Sequence, residues 1–203
     1  MTYLYQNRYR IPSARLSTWN YGNEGMYFVT ICTAGRQHYF GDIIIPSVET
    51  PCWRLEDKED SITSEEQDKS ILPRQYMQLS ALGRIAEEEW YKTVALRKDM
   101  CLQTGEFVVM PNHIHGILGI GPNQYNEHVA FNRNRFGPQS HNLASVLRGY
   151  KSAVTSYALE HSISFRWQAR FHDHIIRSYE EYQRISAYIR NNPENWQKDK
   201  FYK

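Results

Sequence analysis

Residues 107–120 read Phe107-Val108-Val109-Met110-Pro111-Asn112-His113-Ile114-His115-Gly116-Ile117-Leu118-Gly119-Ile120. This is the longest apolar run of the chain, and Pro111, Asn112 and two histidines interrupt it. Proline has no amide proton to give to a ladder, so Pro111-Asn112 marks a turn or bulge between two strands, 102–109 and 113–120. On the second strand, residues i and i+2 point to one face. His113 and His115 therefore project together, and Ile114 points the other way. Two neighbouring imidazoles on one sheet face offer two nitrogens to a divalent metal. An isolated His-x-His is more often coincidence than ligand. Here the pair sits inside an apolar strand, and that favours the metal.

Working outward, residues 25–33 (GMYFVTICT) are β-branched and aromatic and read as a strand. Gly35 and Gly41 bracket a turn region. Residues 80–94 space Leu82, Ile85, Trp90 and Val94 for one helical face, with Ser80 as cap. Residues 142–161 repeat the pattern with Leu143, Val146, Leu147, Val154 and Leu159. A short strand is expected over 171–177. A last helix over 179–191 is stopped by Asn191-Asn192-Pro193. The first six elements match a ferredoxin-like (split βαβ) α+β arrangement, a four-stranded antiparallel sheet with two helices on one face. The last helix is extra and must pack near the sheet.

Three segments stand apart. Residues 1–20 hold Arg8, Arg10 and Arg15 among tyrosines and read as an arm. Residues 46–75 contain Pro46, Pro51 and Pro73 without periodicity and read as an inserted loop. Residues 121–141, rich in Asn, Gly and Pro, read as a second loop. A length of 203 residues suits one domain, 1–203, with a real core.

Net charge is +2. Residues 1–100 carry 12 Lys+Arg against 14 Asp+Glu, and residues 101–203 carry 12 against 8. Much of the acid lies within 56–68, with seven carboxylates and one lysine, so the remainder is basic. Cys32, Cys52 and Cys101 are scattered, with no Cys-x-x-Cys, so neither a zinc knuckle nor a disulfide framework is expected. The N-terminus lacks a leader-like apolar core, and no run reaches membrane-span length. These features point to a cytoplasmic protein with no membrane partner.

A second pair, His172-Asp173-His174, competes for the metal, and the residues alone do not rank the two. With Arg170 and Arg177 beside it, this pair equally suits a DNA-contacting patch. Tyr188 and Asn192 are four residues apart and share a helical face. A phenol and an amide oxygen directed at one metal would make a nucleophile and a ligand. Tyr150 and Tyr157 on the preceding helix are rivals by the same logic.

The stretch FVVMPNHIHGILGI resembles the signature of the HUH single-tyrosine transposases, in which two histidines flank one hydrophobic residue. Residues 182–196 (YQRISAYIRNNPENW) resemble the tail of the REP-associated branch, where a Tyr–Ile pair precedes Asn-Pro. So do Arg166-Trp167-Gln168 with His174-Ile175-Ile176-Arg177, and the block YFVTICTAGRQHYFG. The resemblance spans most of the chain outside 46–75 and 121–141.

It implies that His113 and His115 hold Mg²⁺ or Mn²⁺, and that Tyr188 is the nucleophile, forming a 5′-phosphotyrosine. It places Asn192 where an amide oxygen completes the ligands, although several relatives carry Gln there. His174 matches a recurrent histidine of the branch. The implied substrate is single-stranded DNA folded as a hairpin, cut and rejoined, with Arg148, Lys151, Arg166, Arg170, His174 and Arg177 along its path. A monomer or a homodimer is expected. The alternatives are a replication-initiator or relaxase-like nickase, a domesticated DNA-binding protein that no longer cuts, and a small metalloenzyme acting on something other than DNA.

Overall fold

The structure is a computed structural model that describes residues 19–46, 74–126 and 140–202. The acidic stretch 56–68, most of the expected arm and most of the 121–141 loop lie outside the described residues. The chain order is β1 (Gly25–Cys32), β2 (Gly41–Ile44), β3 (Tyr76–Leu79), α1 (Ala81–Ala95), β4 (Leu102–Met110), β5 (His113–Ile120), α2 (Leu143–Glu160), β6 (His172–Ile176) and α3 (Tyr179–Arg190).

Four strands form an antiparallel sheet in the order β4-β5-β1-β6. With α1 and α2 as crossovers, this is the split βαβ arrangement expected from the periodicities. The helix starts follow local chemistry. Ser80 accepts from the Gly83 amide, Asn142 and Ser145 form a reciprocal capping box, and Ser178 accepts from the Glu181 amide. Glu180 and Glu181 add negative charge at the positive end of α3. An additional two-stranded ribbon, β2 with β3, was not expected and replaces the simple turn read around Gly35 and Gly41.

Alternation along each strand divides the sheet into two faces. Tyr27, Val29 and Ile31 of β1, with Ile114, Leu118 and Ile120 of β5, pack under α1 and α2 in the main core. Each such fully buried side chain contributes roughly 1.5–3 kcal/mol. Gly116 belongs to this face. A Cβ there would stand 2.5 Å from the Trp90 ring, so glycine lets Trp90 lie directly on the strand. Trp90 stacks on Phe107 at 4.6 Å and donates to the Thr104 hydroxyl at 2.8 Å. A register shift between Thr104 and Phe107 inserts one residue and keeps both on the helix side.

The opposite face carries α3. Ile185 and Ile189 pack on Ile117 and Ile176 in a second, smaller apolar cluster. This covers only part of the sheet and leaves Thr30, His113 and His115 beside it. No helix of the described residues is long and apolar enough to cross a membrane.

Candidate active site

The Pro111-Asn112 turn sets the first histidine. Asn112 is buried, and its amide nitrogen donates to the carbonyls of Arg36 (3.3 Å) and Phe201 (3.0 Å). Its Oδ1 is therefore the acceptor that meets His113 Nδ1 at 2.9 Å. That bond places the ring proton on Nδ1 and leaves Nε2 bare. His115 Nδ1 lies 2.8 Å from the Thr30 hydroxyl, which can accept from it or donate to it and holds the ring in place either way. The two Nε2 atoms face each other at 3.0 Å. Both rings are fully buried, and burial pushes both pKa values down, which keeps the imidazoles neutral.

The chain after α3 closes over this pair. Pro193 cannot continue the helix. Trp196 and Phe201 are buried, and their rings pack on His113 with centroids 5.9 and 4.6 Å away. These two anchors turn Asp199 inward. Its Oδ2 accepts from the Tyr188 hydroxyl (3.1 Å) and from the Asn192 amide (2.9 Å), and its Oδ1 accepts from the Phe201 amide. The Tyr188 oxygen also lies 3.2 Å from His115 Nε2.

His113, His115 and Asp199 each offer a ligand atom within 4.8 Å of the others, a cluster able to hold a metal ion. The chemistry of the donors fits such an ion. The Nε2 atoms of two neutral imidazoles converge with a phenol oxygen whose proton is engaged by Asp199. Asn192 Oδ1 is buried with no hydrogen-bond partner among the described residues. A cation would satisfy all of them.

Tyr188 is half-buried, and its pKa is pushed up to about 12, first by burial and then by the charge and hydrogen bond of Asp199. Its phenol is protonated at neutral pH unless a cation stands beside it. A cleft of about 660 Å³ opens onto Tyr188 and His115.

His113, His115, Tyr188 and Asn192 are thus brought together as the sequence anticipated. His172 and His174 are exposed. His174 pairs with Glu181 at 2.8 Å and lines the cleft without reaching the buried histidines. The rival tyrosines lie elsewhere. Tyr150 is buried under α1, donating to the Ala86 carbonyl, and Tyr157 stacks on His161.

The residues expected along DNA are spread out. Lys151 donates to the Gln168 and Arg170 carbonyls, tying α2 to the approach to β6, while Arg148, Arg166, Arg170 and Arg177 are exposed. Arg148 and Lys151 ride on α2, across the sheet from Tyr188. Asp199 was missed by the sequence reading. It lies in irregular chain with no period, and its only signal is its place between Trp196 and Phe201.

No protein-family model matches the chain. Among solved structures, a REP-associated tyrosine transposase bound to a REP hairpin is similar, at 16% identity and a TM-score of 0.48, covering 90% of this chain and 73% of that one. A Deinococcus radiodurans R1 protein provisionally described as a transposase is similar at 12% identity and a TM-score of 0.37, covering 90% of this chain and 97% of that one. Both likenesses are too distant to assign chemistry. An uncharacterized protein of Haemophilus influenzae is 32% identical over 197 residues, 94% of this chain and 92% of its own length. At that identity and coverage, the chain belongs to one family with the Haemophilus influenzae protein.

Proposed function

We propose that the chain is a metal-dependent tyrosine endonuclease and strand transferase acting on single-stranded DNA, the chemistry of a small transposase. One observation carries this reading: the Tyr188 phenol lies 3.2 Å from Nε2 of His115, so the candidate nucleophile and the candidate metal ligands share one cavity. His113 Nε2, His115 Nε2 and a carboxylate oxygen of Asp199 would hold the ion, with Asn192 Oδ1 as a further oxygen. The motif resemblance in residues 107–120 adds Mg²⁺ or Mn²⁺ as the ion. When bound, the ion supplies positive charge against the non-bridging oxygens of the scissile phosphate.

The chain's own groups do the rest. Asn112 holds His113 in the ligating tautomer, and Thr30 orients the His115 ring. Asp199 orients the Tyr188 hydroxyl and accepts its proton as the phenol oxygen bonds to phosphorus. The P–O3′ bond breaks, and the departing 3′ oxygen takes up a proton. The resulting 5′-phosphotyrosine retains an ester that another 3′-OH reverses without ATP. Tyr188 and the candidate ligands lie together within one chain, which supports an active site built in one copy. The motif resemblance in residues 107–120 and 182–196 adds a DNA hairpin as substrate.

The test is a covalent adduct on a denaturing gel, formed with a labelled single-stranded hairpin and Mn²⁺. Tyr188→Phe should abolish it with little change in melting temperature. Tyr150→Phe and Tyr157→Phe should retain it. An adduct that persists in Tyr188→Phe overturns the assignment.

A further inference from the structure

Three cations border the cleft above Tyr188 and His115. Arg184 comes from α3, and Lys198 and Lys200 from the segment beyond it. The two lysines flank Asp199, which points inward and is committed to Tyr188, Asn192 and the Phe201 amide. With the carboxylate so engaged, the outer surface of this segment presents positive charge. The segment is held in place. Arg36 donates to the Lys200 carbonyl at 3.0 Å, the Lys198 amide bonds Asn195, and the Tyr202 amide bonds Asp199. Both lysine side chains are exposed, and Lys200 stands over the Phe201 ring at 4.8 Å. The exposed Arg184 lies 3.4 Å from Glu181, a half-buried carboxylate already engaged by His174 and the Arg177 amide. Lys151, by contrast, spends its ammonium on two carbonyls.

At the cleft floor, half-buried Phe28 packs edge-on against Tyr188, with centroids 6.1 Å apart, and lines the opening. Such a ring suits an unpaired base, because every base has a face that stacks on an aromatic. Cations around an aromatic floor are complementary to a flexible polyanion whose bases are free.

We propose that Lys198 and Lys200, with Arg184 facing them, form the track that grips the backbone phosphates of a single nucleic-acid strand beside the cut, with Phe28 beneath an unpaired base. This rests on the functional reading above and specifies where the strand runs. It places the strand on the α3 face of the sheet, away from Arg148 and Lys151 on α2.

The test is fluorescence anisotropy of the full chain with a labelled single-stranded oligonucleotide in EDTA, so that no cleavage intervenes, over a series of salt concentrations. Each phosphate contact to a single strand contributes about 0.7 to the slope of log affinity against log salt, or about fivefold at 0.1 M. Lys198→Ala/Lys200→Ala should therefore weaken binding about 25-fold at 0.1 M and flatten the slope by about 1.4. Lys198→Arg/Lys200→Arg should restore most of the affinity, and Arg148→Ala/Arg166→Ala should stay within about twofold of wild type. Unchanged affinity and slope in the lysine-to-alanine variant, with the loss appearing in Arg148→Ala/Arg166→Ala, overturn the track. If the wild type still forms the Mn²⁺-dependent adduct in a parallel assay, the functional reading survives that outcome. A wild type that neither binds the strand nor forms the adduct removes both.

Discussion

The two faces of the sheet are built from alternate residues of the same strands, yet they obey different rules. On the helix side, β5 contributes Ile114, Leu118 and Ile120, all buried among apolar neighbours, and every vacancy is filled, down to Trp90 over Gly116. On the α3 side the same strand contributes His113 and His115, equally buried, with their Nε2 atoms 3.0 Å apart. Burial alone therefore does not separate core from site. What separates them is the chemistry of the buried groups. The helix side is filled by apolar side chains, and the α3 side gathers two imidazoles, a carboxylate and the unpartnered Oδ1 of Asn192, a cluster able to hold a metal ion.

The sharpest way to break this contrast is to substitute across it. His113→Ala or His115→Ala should abolish the Mn²⁺-dependent adduct while the protein remains folded. Leu118→Ala, one strand position beyond Ile117, should cost about 2–5 kcal/mol of stability and leave the chemistry of the folded fraction intact. Urea unfolding with adduct yield separates the two. A histidine variant that unfolds, or a Leu118→Ala that stays stable and stops cutting, would erase the distinction.

A smaller effect is expected from Asn192→Ala. Its unpartnered oxygen is one ligand among several, and water can replace it. The Mn²⁺ concentration giving half-maximal adduct should rise about tenfold, with the maximal yield nearly kept. An unchanged Mn²⁺ dependence would leave Asp199 as the oxygen donor of the segment after α3.

The smallest effect concerns the helix-side tyrosines at high pH. Burial raises the Tyr150 pKa well above 10, and Tyr27 is raised as well. Unfolded phenols ionise near 10, so above that pH the unfolded chain releases protons that the folded chain keeps. Stability is thus fully present below about pH 10 and falls as pH rises beyond it. The urea midpoint should drop between about pH 9.5 and 11. Tyr150→Phe should flatten that drop while losing about 1 kcal/mol of hydrogen bonding to Ala86. A wild-type midpoint that stays level over this range would contradict the sign.

Much of this architecture could be read before any coordinates. The helices over 80–94 and 142–161 announced themselves through apolar spacing, with Ser80 read as a cap, whereas Asn142 and Ser178 show themselves as caps only in the structure. Strand alternation puts His113 and His115 on one face and a helical turn pairs Tyr188 with Asn192, but the same logic admitted His172 with His174, Tyr150 and Tyr157, and the family resemblance made the choice. The β2–β3 ribbon was not legible. Its strands have four residues each, and 31 residues separate Ile44 from Tyr76, so no hairpin turn signal exists. Asp199 escaped for a related reason: local period says nothing about irregular chain positioned by two neighbouring aromatics that pack on His113 of a strand far away in sequence.

The β2–β3 ribbon has a further consequence. Ile44 and Tyr76 are paired across it, so the polypeptide departs and returns through points about 5 Å apart. The entropy of closing the intervening chain grows only with the logarithm of its length, and each doubling costs about 0.6 kcal/mol. Length there can change at small entropic cost, because the paired ends at its base stay where they are. It is a docking port for new sequence, where evolution, or an engineer splicing in a reporter, adds a passenger without redesigning the machine.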